Sequence, residues 1–302
     1  AVQAMAMLCD ADVEGDAVGS KTVHFGPQRA PKAGEYTFDI SELAGQSSAG
    51  SVTLLFQALF FPLAFASQDS ELVLKGGTHV RWSPPYHYLA YVYRPFVEKL
   101  GFELDLELRT WGWYPRGGGE MVARIGGLGA EAETHLSSWQ VEERGKRLAV
   151  SGISAASNLP RHIIERQRER ALAYFHSRHI KPDIELVDAP SPGKGTVLFV
   201  LAQYERANAG FTGYGRVRYP AEEVADDATD AFESYRKRKG ALDPYLADQV
   251  LLPLALVPGN SYYTTSCVTQ HLLTIGWLVE RFLDRNVTVT GKEGASGSVE
   301  VA

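Results

Sequence analysis

One stretch, TTSCVTQHLLTIGWLVERFLD at Thr264–Asp284, constrains the fold of this chain most. Its apolar residues recur at the spacing of one face of an amphipathic helix, at Leu272, Ile275, Val279 and Phe282. Ser266 or Thr269 can cap the start of that helix, because their hydroxyls accept from free backbone N–H groups. The pattern predicts a loop that runs into a helix with one face packed against the rest of the protein.

His271 falls in the first turn of this predicted helix. Backbone N–H groups that are free at a helix start favour anions, so an imidazole there could meet a phosphate. On chemistry alone, a single histidine near a helix start is more often a hydrogen-bonded structural residue. Both interpretations stay open at this point.

The remaining chain alternates strands and helices. Residues 71–125 show strand, loop, helix, strand, turn and strand in that order, and a comparable order recurs at 22–66 and at 250–290. No strict sequence repeat accompanies this order. We therefore predict a mixed α/β (α+β) protein with a recurring βαββ-like arrangement.

The most apolar stretch, Val52–Ala66, is shorter than the roughly 18 residues that a membrane span needs, and predicts a buried helix. Gln57 lies inside it. A buried amide must find hydrogen-bond partners, so this glutamine implies a ligand or a structural network. The glycine-rich and serine-rich loop Gly45–Ser51, which opens the helix, is either an anion site or a flexible connection.

Charge and cysteine content argue against a nucleic-acid coat, a disulfide framework and a zinc motif. The net charge is −6, which argues against a sequence-independent coat on nucleic acid; a protein that binds nucleic acid locally would need its cations concentrated in a cleft. The two cysteines, Cys9 and Cys267, form neither a disulfide framework nor a zinc motif. Together with a start that lacks a signal-peptide pattern, they predict a cytoplasmic protein.

The helix predicted at 160–179 carries five arginines among glutamates. It is read either as a solvated face with i,i+4 ion pairs or as an RNA-facing edge. The loop that contains Arg116 and the triple glycine Gly117–Gly119 is read mainly as a structural turn, with Arg116 as a candidate RNA contact.

Two motifs carry a family resemblance: QHLLTIGWLVERFL around His271 and YLADQ at 245–249. With weaker similarity over 47–62 and 76–120, the chain resembles the RNA 3′-terminal phosphate cyclases. The resemblance implies a large catalytic domain of repeated βαββ-like units, at 1–134 and 235–302, and a smaller α/β insert domain at 135–234. It also implies a glycine-rich EGGGQ-type segment ahead of residue 1, which this sequence does not contain.

The resemblance further implies a reaction. ATP transfers AMP to His271, the adenylyl group passes to an RNA 3′-phosphate, and the neighbouring 2′-hydroxyl closes a 2′,3′-cyclic phosphate. The nucleotide contacts implied by the family are Gln57, Pro84, Tyr245, Asp248 and Gln249. The chemistry calls for ATP and a divalent metal, Mg²⁺ or Mn²⁺, whose ligands the sequence does not identify, and for no membrane. The oligomeric state stays open.

Two rival functions remain at this stage. One is a non-catalytic relative that binds RNA or a partner in ribosome biogenesis, against which the presence of His271 argues. The other is an enolpyruvyl-transferase-like enzyme, on fold analogy alone. Each implied site residue also has a structural alternative: Tyr245 and Pro84 could be core residues, and Asp248 could be an acidic residue of a helix start.

Overall fold

The computed structural model describes residues 1–43 and 49–302 and has a mixed α/β architecture, as predicted. Its helices are α1 Val2–Cys9, α2 Ile40–Leu43, α3 Val52–Ala64, α4 Tyr86–Tyr88, α5 Arg94–Lys99, α6 Ala132–His135, α7 His162–His176, α8 Ala221–Lys237, α9 Pro244–Gln249, α10 Leu251–Leu256 and α11 Gln270–Phe282, with a π-helical turn at Leu89–Tyr93 and a 3₁₀ turn at Gly129–Glu131. Its strands are β1 Asp12–Glu14, β2 His24–Gly26, β3 Glu35–Asp39, β4 Ser70–Gly76, β5 Leu104–Thr110, β6 Gly119–Ile125, β7 Gln140–Val141, β8 Arg147–Ser157, β9 Asp183–Asp188, β10 Gly195–Tyr204, β11 Asn208–Tyr214, β12 Ser261–Thr265, β13 Val287–Thr290 and β14 Gly297–Val301.

The first compact unit comprises residues 1–86, 102–135 and 190–193. Its main sheet has the order β3-β4-β6-β5, in which β3 runs parallel to β4 and the other pairs are antiparallel. The apolar helix α3 packs on β4 and β6 and buries three phenylalanines, Phe56, Phe60 and Phe61. The expectation of a buried helix at 52–66 is therefore correct.

The second unit comprises residues 87–101, 136–189 and 194–302, and it contains two sheets. The first has the order β11-β10-β8-β9, covered by α7 and α8. Between sheet and helices lies a core of aromatic and aliphatic side chains, including Phe175, Phe211, Phe232 and Leu198. The predicted insert domain at 135–234 includes all of these elements except the end of α8, and its boundaries stay a prediction.

The second sheet of this unit has the order β13-β14-β12-β7, with β7 parallel to β12. Helix α11 packs against β13 and against the short helices α9 and α10. Leu272, Gly276 and Val279 form its buried face. Phe282, which the helical spacing assigned to that face, is instead exposed because the helix ends there.

The arginines of α7 pair mainly with the neighbouring helix α8. Arg166 makes two hydrogen bonds of 2.7 Å to the carboxylate of Glu222, and Arg170 makes bonds of 2.7 and 3.1 Å to Asp226. The solvated interpretation fits these contacts better than an RNA-facing edge. These two pairs cross between helices, whereas Arg161 makes the expected i,i+4 pair with Glu165 at 3.3 Å. No helix in the described part of the chain is long and apolar enough to cross a membrane.

Candidate active site

The short helix α9 carries three of the six predicted site residues. Asp243 caps it, accepting hydrogen bonds from the backbone N–H groups of Tyr245 (2.9 Å) and Leu246 (3.0 Å), and Pro244 occupies the first helical position. Because residues three or four apart share a helix face, Tyr245 lies beside Asp248 and Gln249. The Tyr245 ring is 59% exposed and is therefore not a core residue.

His271 lies in the first turn of α11. Thr269, one of the two capping candidates, accepts a hydrogen bond from the Leu272 N–H at 3.1 Å. The His271 side chain is 86% exposed, and its Nδ1 lies 3.7 Å from Asp248 Oδ2. This separation is longer than a direct hydrogen bond. The structure thus brings His271 and Asp248 together and leaves the imidazole open to solvent.

Two carboxyl groups at this place resist ionisation. Burial, followed by the charge of Asp243, raises the pKa of Asp248 to about 7. Burial also raises the pKa of Asp243 to about 6, although hydrogen bonds from the Leu246 N–H and the Tyr88 hydroxyl oppose that shift. A carboxyl group that titrates near neutrality beside an exposed imidazole is typical of a functional site, although structural networks also produce such shifts.

Gln57 and Pro84 lie in the other compact unit. Ser51 caps α3, and Thr53 Oγ1 donates to the Pro84 carbonyl at 2.7 Å. Thr53 and Gln57 are four residues apart on α3 and so share a helix face, which brings Gln57 and Pro84 to the same side of this unit. Gln57 is half-buried. Residues 45–48, which form most of the predicted anion loop Gly45–Ser51, lie outside the described residues.

A preformed metal site is absent from residues 1–43 and 49–302, which contain no group of three or more His, Cys, Asp or Glu side chains that could hold an ion. Both cysteines are free thiols.

Sequence reasoning missed three residues that surround α9: Asp243, Tyr88 and Tyr263. The Asp-Pro pair at 243–244 is a recognisable helix start and could have identified Asp243 as a cap. No local pattern could have identified the tyrosines, because Tyr88 reaches Asp243 across 155 positions of sequence.

The exposed histidine and the buried carboxyl group lie side by side on two helices and are open to a substrate from solvent. Comparison with known proteins gives the class: the family model for RNA 3′-terminal phosphate cyclase matches residues 1–289. The chain belongs to the RNA 3′-terminal phosphate cyclase family.

Curated relatives agree with this assignment. A protein of Gloeothece citriformis, named RNA 3′-terminal phosphate cyclase, is 38% identical over 93% of this chain and 79% of its own length. Proteins with the same name from Methylococcus capsulatus and Methanopyrus kandleri are 39% and 36% identical, each over 100% of this chain, and over 82% and 84% of their own lengths. The resemblance first read from HLLT and YLADQ is therefore confirmed at the level of the family.

Proposed function

We propose that this protein uses ATP to convert the 3′-terminal phosphate of an RNA into a 2′,3′-cyclic phosphate, through a covalent AMP adduct on His271. The observation that carries the proposal is the exposed imidazole of His271, 3.7 Å from the carboxyl group of Asp248, in a chain of the cyclase family. An imidazole that is open to solvent can be reached by a nucleotide, whereas a buried one could not.

In the first step a ring nitrogen of His271 attacks the α-phosphorus of ATP. A phosphorus–nitrogen bond forms, the bond to the β-phosphate oxygen breaks, and pyrophosphate leaves with that electron pair. We assign the attack to Nε2, because Asp248 lies beside Nδ1 and favours the imidazole tautomer that carries its proton on Nδ1. The same carboxylate then stabilises positive charge on the adenylated ring.

The start of α11 contributes to the same step. The first backbone N–H groups of a helix have no backbone partner within that helix. In α11, the Thr269 hydroxyl accepts from one of them, the N–H of Leu272. These groups and the helix dipole favour an anion, which supports placing the α-phosphate near His271. The base of ATP is assigned to Tyr245 and Pro84, and other nucleotide contacts to Asp248, Gln249 and Gln57, as the family resemblance implies.

The next two steps transfer the AMP and close the ring. An oxygen of the RNA 3′-phosphate attacks the adenylate phosphorus and releases His271. The adjacent 2′-hydroxyl then attacks the activated terminal phosphorus, AMP leaves, and the hydroxyl proton passes to solvent. The closure is intramolecular, so the protein need only hold the reacting groups in line.

The proposal includes a divalent metal that binds together with the nucleotide. Mg²⁺ or Mn²⁺ bound to the triphosphate would offset its negative charge. We keep the cytoplasm as the proposed location, since both cysteines are free thiols.

Incubation with α-labelled ATP tests the proposal. Wild-type protein is expected to retain label in an acid-labile bond, and His271→Ala is expected to retain none. His135→Ala is a matched control, because the exposed His135 also lies near a carboxylate, with Nδ1 3.6 Å from Glu131. Label retained in His271→Ala, or none in the wild type with Mg²⁺ or Mn²⁺ present, would contradict the proposal and favour a non-catalytic RNA-binding role.

A further inference from the structure

Helix α9 cannot hold its own position. It has six residues, Pro244–Gln249, and isolated helices shorter than about 12 residues are marginal in water. Yet it carries Tyr245 and Asp248, whose positions relative to His271 decide whether the site can work. Something outside the helix must therefore fix it.

One anchor reaches the start of α9. The Tyr88 hydroxyl donates to the fully buried carboxyl group of Asp243, with Oδ1 at 2.8 Å and Oδ2 at 3.0 Å. The Tyr88 ring also meets the Tyr245 ring edge to face, with centroids 6.3 Å apart and planes at 88°. One side chain thus holds both the cap of the helix and the aromatic ring of its first turn.

Tyr88 is buried and packs closely against Gly210. The backbone of Gly210 also donates to Asp243. A Cβ at Gly210 would lie 2.7 Å from Tyr88 Cδ2, so only glycine allows this approach. A buried carboxylate is costly unless its oxygens are satisfied, and here the Tyr88 hydroxyl supplies part of that satisfaction.

A second anchor reaches the other end of α9. The hydroxyl of Tyr263, also fully buried, donates to the Ala247 carbonyl at 2.5 Å. Tyr263 belongs to β12, and the chain passes directly from β12 through Thr269 into α11 and His271. This bond therefore ties the segment before the histidine to the helix that bears Asp248.

We propose that Tyr88 and Tyr263 form a two-point clamp on α9, and that this clamp positions Tyr245 and Asp248 for ATP beside His271. The inference rests on the proposed function, because it concerns the nucleotide of that reaction. Both tyrosines are positioning residues: neither touches the imidazole, and each acts through α9.

Removing one hydroxyl tests the clamp with little change in packing. Tyr88→Phe and Tyr263→Phe keep the buried ring and lose a single hydrogen bond. Tyr235→Phe is the matched control, since the buried Tyr235 hydroxyl donates at 2.6 Å to the Ala241 carbonyl, which lies outside α9. The measurements are KM for ATP and the rate of label uptake, the dissociation constant of ATP by equilibrium dialysis, and the melting temperature.

We expect each clamp variant to raise KM and the dissociation constant for ATP by roughly 3- to 10-fold. We expect the control to leave both values within about twofold and to lower the melting temperature about as much as the clamp variants do. A purely structural role would lower the active fraction and leave KM unmoved. Unchanged ATP affinity in both clamp variants, or an equal rise in Tyr235→Phe, overturns the clamp while wild-type label still supports the proposed function. A wild-type protein that neither binds ATP nor retains label overturns both.

Discussion

At the scale of single residues, the burial of Asp248 makes the stability of the protein depend on pH. Its side chain is mostly buried, and its pKa of about 7 lies above the roughly 3.9 of an exposed aspartate. Between about pH 4 and 7, Asp248 therefore keeps its proton in the folded protein, whereas in the unfolded chain it has lost it. The stability that this proton supplies is complete below about pH 4 and is lost as the pH rises through about 7.

This sign predicts that Asp248→Asn stabilises the protein at pH 8 and has little effect at pH 4. The neutral amide has no charged form to bury, so we expect a gain of ~1–3 kcal/mol in the free energy of unfolding at the higher pH. Urea unfolding at the two pH values measures it, with the exposed Asp284→Asn as a control. A loss of stability at pH 8 would show that the charge of Asp248 is stabilised in the fold.

Asp243 tunes the titration of Asp248, since its charge is the second cause of the raised pKa. The titratable groups that face Asp248 are Asp243, His271 and the tyrosines Tyr88, Tyr245 and Tyr263. Replacing Asp243 by Asn keeps a good helix cap and removes the like charge.

We therefore expect Asp243→Asn to move the acid limb of the adenylylation rate toward lower pH, because Asp248 ionises earlier. The pH profile of kcat/KM for label uptake is the measurement. An acid limb that stays in place, or that moves to higher pH, would contradict this electrostatic coupling.

At the scale of elements, the start of α11 is set by one hydroxyl group. The Thr269 hydroxyl accepts from the Leu272 N–H. The Thr274 hydroxyl, inside the helix, donates to the Gln270 carbonyl at 2.8 Å and accepts from the Gln270 side-chain amide at 3.5 Å. We expect Thr269→Ala to lower the free energy of unfolding by ~1 kcal/mol and Thr274→Ala to change it little, since alanine favours a helix interior. Denaturant unfolding compares the two, and an equal effect would mean that the cap does not stabilise α11.

Elements with strong periodicity could be predicted from the sequence, and long-range pairs could not. The apolar run of α3 and the capped stripe of α11 were expected, because both depend on local spacing. Within the helix expected in residues 71–125, the π-helical turn Leu89–Tyr93 leaves Tyr91 exposed, a local change that apolar spacing does not predict.

In the candidate site, too, residues in local motifs could be named from the sequence and residues that act through long-range contacts could not. Residues in YLADQ and HLLT could be named from the resemblance, and their roles stay predictions. The hydroxyl contacts of Tyr88 and Tyr263 depend on tertiary packing across sequence separations of 155 and 16 positions, so neither leaves a local pattern.

At the scale of the whole molecule, the negative net charge and the paired arginines of α7 limit how the protein can hold RNA. An enzyme that grips only an RNA end contacts few phosphates and releases few counterions. With about two phosphates engaged, raising salt from about 50 to 200 mM should weaken RNA affinity roughly sevenfold. Titration of a 3′-phosphorylated oligonucleotide measures this, and a loss of a hundredfold or more would indicate an extended basic interface.

The account as a whole depends on the chemical identity of one adduct. Protein incubated with ATP and the divalent metal, digested at mildly alkaline pH and analysed by peptide mass spectrometry, is the most direct measurement. We predict one AMP, attached to the peptide that contains His271. An AMP on any other residue, or unmodified peptide from protein that nevertheless cyclises RNA ends, would contradict the account.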